Sequence, residues 1–261
     1  MIIGDLIALG YCAHRAPRKR GKFLNTTSAS MVWTTPRRYP RAYWLALAGA
    51  VGPLLFVFAT ATCDVIQHSW LIQHNFDPAT QAPVSDNALG PYGIVQTAGF
   101  IAIGIGIMSL AQALHLQLPT GRRRDVAGIA FLALTGLALF ASAATEDDPH
   151  SALATAGHYT WHGWIHNISF FVMVFSQVAA YAFLWRRMRQ DPSWSGHAKF
   201  TLVWAIAVLP ALGASFAIGG GLHISAFYVW LLLFPVGWPV LTALRALRLQ
   251  CIDAWAEPAP A

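Results

Sequence analysis

Six stretches of this chain carry no Asp, Glu, Lys or Arg: Ala42 to Cys63, Tyr92 to His115, Val126 to Thr145, Trp161 to Trp185, Phe200 to Gly219 and Ile224 to Leu244. Each is long enough to matter, because about 20 consecutive apolar residues wound as a helix match the hydrocarbon thickness of a bilayer. Water cannot be the solvent for all six. Hydrophobic residues make up 56% of the 261 and charged ones 11%, against roughly 25% charged in an ordinary soluble domain. In lipid every backbone amide must pair within its own segment or a closed barrel, and uncharged runs of this length select the helix. The fold class expected is therefore all-α, a polytopic membrane bundle of six transmembrane helices.

The basic residues set its orientation. Arg15, Arg18, Lys19, Arg20, Lys22, Arg37, Arg38 and Arg41 precede the first run, and Arg122, Arg123 and Arg124 separate the second from the third. Arg186, Arg187, Arg189 and Lys199 separate the fourth from the fifth, and Arg245 and Arg248 follow the sixth. With six alternating crossings all 17 fall on one side, which the positive-inside rule makes the cytoplasm. Both termini are then cytoplasmic. The opposite loops hold Asp64, Asp77, Asp86, Glu146, Asp147 and Asp148 with no Lys or Arg. Tyr43, Trp44 and Trp185 suit the inner interface, and Trp70, Trp161 and Trp164 the outer one.

Three segments follow: a basic, largely disordered N-terminal stretch over 1–41, the six-span domain over 42–248 and a short cytoplasmic tail over 249–261. Residues 1–30 are apolar first and basic afterwards, the reverse of a secretory signal. They are expected to be disordered or to reflect the choice of start codon. The net charge of +6 serves topology, so no nucleic-acid partner is expected; membrane lipids are. Cys12, Cys63 and Cys251 show no metal-ligand spacing and no disulfide framework. The Arg-rich, Ala-rich composition points to a bacterial plasma membrane.

Inside the runs, Ala98, Ala102 and Gly106 recur at four-residue spacing, which lets another helix approach closely. Pro210, Pro235 and Pro239 are expected to kink the last two spans without ending them, neighbours satisfying the freed backbone groups. Gln96, Gln112, Asn167, Ser176 and Gln177 lie at membrane depth and suit hydrogen bonds between helices. Ionisable groups of the kind that line ion-coupled pathways are missing from the spans, apart from histidines near their ends. No internal repeat of the inverted-transporter kind is evident.

The region from about Tyr43 to Leu247 resembles a mostly bacterial family of six-helix membrane proteins, the domain of unknown function 998. The resemblance is carried by Gly49, Gly52 and Pro53 in the first span, by DPATQAPVSDNALGPYGIVQTAGF from Asp77 to Phe100, and by an acidic cluster, Glu146 to Asp148, followed by GHYTWHGWIHN from Gly157 to Asn167. Ala144 and Thr145 stand where the family commonly has a Phe-Pro step. The resemblance implies a six-helix membrane fold and brings no established reaction.

Of ten histidines, seven fall on or near the outer face: His68, His74, His150, His158, His162, His166 and His223. The four-residue spacing of His158, His162 and His166 makes one stripe on a helix, and two imidazoles so placed can share a metal ion such as zinc. The outer acids, with Asp86, Glu146 and Asp148 as catalytic candidates, can supply a further ligand or a general base. Such a site suits an outward-facing metal-dependent hydrolase acting on a lipid headgroup. The blander account is interfacial packing of histidines, with Asp86 capping the second span. A haem held between His162 and His223 is a third reading.

Overall fold

The computed structural model describes residues 40–74, 76, 83–118, 126–144, 160–218 and 226–256. The expectations for residues 1–30 fall outside them. Among the described residues the chain is helical and contains no strand. Six elements are long and apolar enough to cross a membrane. In chain order they are α1 (Pro40–Ile66), then after the short α2 (His68–Gln73) and a 3-10 turn (Val84–Leu89), α3 (Gly93–Gln117), α4 (Ala127–Ala144), α5 (Trp161–Met188) and α6 (Ser195–Ile218). The sixth is composite: α7 (Ala226–Leu231), a π-helical segment (Leu232–Gly237) and α8 (Trp238–Ala256). Neighbours in sequence are neighbours in space, and the composite helix returns to pack on α1, so the six form a closed ring.

The outside of the ring is apolar. Phe58, Ile94, Phe171, Phe175 and Ile206 are exposed on four helices, an arrangement that water would not tolerate over so large a patch and that lipid requires. The protein is a multi-pass membrane protein. Basic side chains Arg41, Arg186, Arg187, Arg189, Lys199, Arg245 and Arg248 share one end of the bundle, here the basic end, while Asp64 and Asp86 mark the other, the acidic end.

Small residues set the helix spacing. A Cβ added at Gly52 of α1 would overlap the Ala102 carbonyl oxygen and stand 2.8 Å from the Gly106 Cα of α3; one at Gly106 would stand 3.0 Å from the Gly52 Cα. The two backbones touch. On the opposite side of α3, Gly104 and Gly136 do the same for α4. The expected stripe shifts at one end: Ala98 is exposed and Gly99 meets Ala59 instead, because α3 turns that face to α1.

The prolines behave in two ways. Pro53 and Pro210 lie within continuous α-helix, whereas Pro235 sits in the π segment. A proline there removes one backbone donor, and the wider π turn frees carbonyls that lipid cannot satisfy. Neighbouring helices satisfy them, as expected: the Tyr181 hydroxyl of α5 donates to the Phe234 carbonyl at 2.9 Å, and the Trp204 indole of α6 donates to that of Leu233 at 3.1 Å.

Candidate functional site

At the acidic end the last turn of α1 carries Cys63 and Asp64, and Gln67 follows it directly, before α2. The Asp64 carboxylate accepts from the Asn87 amide at 2.7 Å and from the Tyr228 hydroxyl of α7 at 3.3 Å. Gln67 answers in both directions: its Nε2 donates to the Asn87 carbonyl at 2.8 Å and its Oε1 accepts from the Tyr92 amide at 3.2 Å. Gly90 passes so close to the Gln67 carboxamide that any Cβ would overlap it. These bonds fasten the segment 84–92 over the end of α1 and tie α7 to both. No lysine or arginine stands at this end among the described residues.

Beneath this cover the ring encloses a cavity of about 250 Å³. Phe56 of α1, Phe100 and Ile103 of α3, Leu139 of α4, Phe170 and Met173 of α5, and Leu231 and Pro235 of the composite helix form its apolar walls. Four polar residues also line it: Ser85, Ser142, His166 and Asn167. Ser142 and Asn167 spend one donor each on their own helices, on the carbonyls of Ala138 at 3.1 Å and Gly163 at 2.8 Å. Phe171, 56% exposed, both lines the cavity and lies on the bundle's surface. A space walled by aromatic and aliphatic side chains with a few polar groups is the usual form of a site for small hydrophobic ligands.

Toward the basic end the interior closes. The Tyr181 and Trp238 rings pack at 4.2 Å, the Trp238 indole donates to the Thr201 hydroxyl at 3.2 Å, and His197 Nε2 meets the Thr242 hydroxyl at 2.9 Å. Arg187, only 5% exposed, turns inward and its guanidinium donates to the Leu118 carbonyl at the end of α3.

Two residues of the histidine stripe, His162 and His166, fall among the described residues, both on α5. His162 is exposed with its ring against Trp161 at 3.5 Å, while His166 is 8% exposed and lines the cavity. His158, Glu146 and Asp148 lie outside the described residues, as does His223, the proposed haem partner of His162. Among the described residues no group of three His, Cys, Asp or Glu side chains is placed to hold a metal ion. His74 is spent locally, its Nδ1 2.8 Å from the Trp70 carbonyl and its ring stacked on that indole. Asp86 is not the cap of α3. It lies in the 3-10 turn at 1% exposure, and Tyr92 occupies the cap position without a side-chain capping bond. The sequence motif SDNALGPYG fixes a separate turn before the helix begins.

Gln67, Asn87 and Tyr228 went unnoticed in the sequence, as did the cavity. Asn87 and Tyr228 are 141 positions apart and meet only because the ring closes; a tyrosine near a span end otherwise reads as an interfacial anchor. Asn87 alone carried a signal, sitting inside the motif that marks the family resemblance.

A family model described as a protein of unknown function, DUF998, matches residues 50–255, most of the chain. No curated protein and no solved structure matches it.

Proposed function

The chain belongs to the DUF998 family of proteins of unknown function, and we propose that it is a bacterial plasma-membrane protein whose bundle binds a small hydrophobic molecule in the cavity between its helices. The cavity is the observation that carries this: about 250 Å³ enclosed by side chains of five spans and the segment 83–85. Well-packed interiors hold few voids larger than a water molecule, and an empty space of this size costs stability through lost contacts. A ligand recovers those contacts. The sorting of basic residues supports an extracytoplasmic acidic end and cytoplasmic termini, which puts the cavity in the outer half of the membrane.

Reconstitution into nanodiscs and solvent extraction test this reading. The wild-type protein is expected to release a hydrophobic molecule at close to one per chain, beyond what bulk lipid accounts for. Leu139→Trp, which fills the cavity from α4, is expected to lower that content at least tenfold while the protein stays monodisperse. Equal release from both proteins would refute the proposal.

A further inference from the structure

The cavity is sorted by polarity along the membrane normal. Its four polar lining residues all lie near the acidic end: Ser85 in the 3-10 turn, Ser142 in the last turn of α4, and His166 and Asn167 in the first two turns of α5. Apart from Pro83 and Val84 of the covering segment, the apolar lining lies deeper. Leu139 is one turn below Ser142, and Met173 is two turns below His166, about 10 Å by helix rise.

The cavity also reaches the lipid. Phe171 lines it and is 56% exposed, and Asn167, one turn above on the same face, lines it and is half-buried. The side of α5 that faces α4 is a different one: Ser176 bonds Thr135 at 2.8 Å, and the Phe183 ring stacks on that of Phe131 at 5.8 Å. At about 100° per residue, Phe171 points roughly 140° away from Ser176, toward the side on which α6 follows α5 round the ring. No described residue of α6 lines the cavity, whose wall there passes from α5 to Leu231 and Pro235 of the composite helix. The opening is lateral, beside Phe171, and it meets acyl chains.

We infer that the cavity takes an uncharged amphiphile with a hydroxyl head, which enters sideways past Phe171 and lies with its head at Ser142 and Asn167 and its chain toward Met173. Ser142 gives its hydroxyl proton to the Ala138 carbonyl, and Asn167 gives an amide proton to that of Gly163. The serine oxygen can then only accept, and the asparagine oxygen is left to accept. A head that donates suits them, and a hydroxyl does. An anionic head would meet no described Lys or Arg at this end and would lie near Asp64 and Asp86; a cationic one would find no described carboxylate lining the cavity. Pure hydrocarbon would leave the polar end unpaired. An outer-leaflet amphiphile already lies head outward, so lateral entry needs no inversion. The ligand's class and pose rest on the cavity being a binding site at all.

Photolabelling in nanodiscs tests it, with eight-carbon alkanols carrying a diazirine either at the chain end or beside the hydroxyl, and with an alkane and an alkanoate carrying it at the chain end. The chain-end alkanol is expected to label Ile103, Leu139 or Met173 saturably, and the hydroxyl-side alkanol Ser142, His166 or Asn167. The alkanoate should label about tenfold less at neutral pH. Ser142→Ala combined with Asn167→Leu is expected to lower the ratio of alkanol to alkane labelling about tenfold, the effect of two lost hydrogen bonds. The alkane signal reports that the variant is folded, because it requires the deeper walls. Phe171→Ala, which widens the opening, is expected to speed release of bound alkanol into empty nanodiscs about threefold or more. A reversed depth pattern, equal labelling by the alkanoate, an unmoved ratio or an unmoved release rate would each overturn this inference and spare the cavity reading. Unsaturable labelling confined to lipid-facing residues by every probe would overturn both.

Discussion

Gly52→Leu is expected to abolish the folded bundle, with the detergent-solubilised protein aggregating on size exclusion where the wild type elutes as a single species. The reason is backbone contact. With the Gly52 and Gly106 Cα atoms in touch across α1 and α3, a leucine has no rotamer that avoids the Ala102 carbonyl, and the helices must separate along their whole contact. α1 also packs on α8 and closes the ring, so the displacement travels. Gly52→Ala is the graded version, expected to lower stability by about 1–3 kcal/mol, the usual cost of overpacking. Gly213→Ala supplies the control: nothing lies within 4 Å of a Cβ there, so the substitution is expected to leave the melting temperature unchanged or raise it, as alanine is the better helix former. Equal tolerance at both positions in a thermal melt would mean that α1 and α3 are not in contact.

Arg187→Met is expected to destabilise the protein by about 2–3 kcal/mol, the range for losing a hydrogen bond to a charged group. Arg187 reaches from the end of α5 to the last carbonyl of the α3 helix, where cationic charge also suits the helix dipole. Methionine keeps most of the volume and removes the donor. Arg187→Lys should recover only part of the loss, because an ammonium on a flexible stem cannot reproduce the planar fork. Arg186, the preceding residue in the same Trp-Arg-Arg-Met run and exposed, gives the comparison: Arg186→Met is expected to change stability by less than about 0.5 kcal/mol, as exposed sites do. Thermal melts of the three variants in one detergent decide it, and equal effects at 186 and 187 would contradict the inward placement.

Hydrophobicity and charge made the spans legible, and the structure moves their ends for reasons a charge-free window cannot see. α6 starts at Ser195 where Phe200 was expected, because His197 finds Thr242 inside the bundle and the helix winds one more turn to place it. α5 runs to Met188, past Trp185, with the burial of Arg187 offset in part by its bond to the Leu118 carbonyl. The buried stripe of that helix, Gln177, Ala180, Tyr181 and Leu184, extends in phase to Arg187, so its inward face was readable from spacing. Reading every arginine as a topological charge hid it. The π segment was half legible: Pro235 announced an irregularity, but its form depends on Tyr181 and Trp204, which sit on other spans.

The candidate site was less legible than the fold. Histidines at four-residue spacing suggested a shared site; His162 is exposed and His166 lines the cavity, a difference in surroundings that spacing along one helix does not specify. Cavities and long-range hydrogen bonds such as Tyr228 to Asp64 belong to no single helix. They follow from how the ring closes, which periodicity within one span does not specify. Gln177 was noticed as a polar residue at membrane depth and assigned to helix pairing; that it ends fully buried beside Tyr181 of its own helix is visible only once its neighbours are placed.

The central claim is that lipid surrounds six crossings whose basic loops share one side. Cysteine mapping in intact cells tests it most directly, with Cys12, Cys63 and Cys251 first replaced by alanine or serine. A membrane-impermeant maleimide added outside is expected to label Thr80→Cys and Ser151→Cys within minutes, and to label Thr120→Cys and Ser193→Cys only after the membrane is permeabilised. Labelling of Thr120→Cys or Ser193→Cys in intact cells, beside protected Ser151→Cys, would contradict the topology on which the placement of the cavity depends.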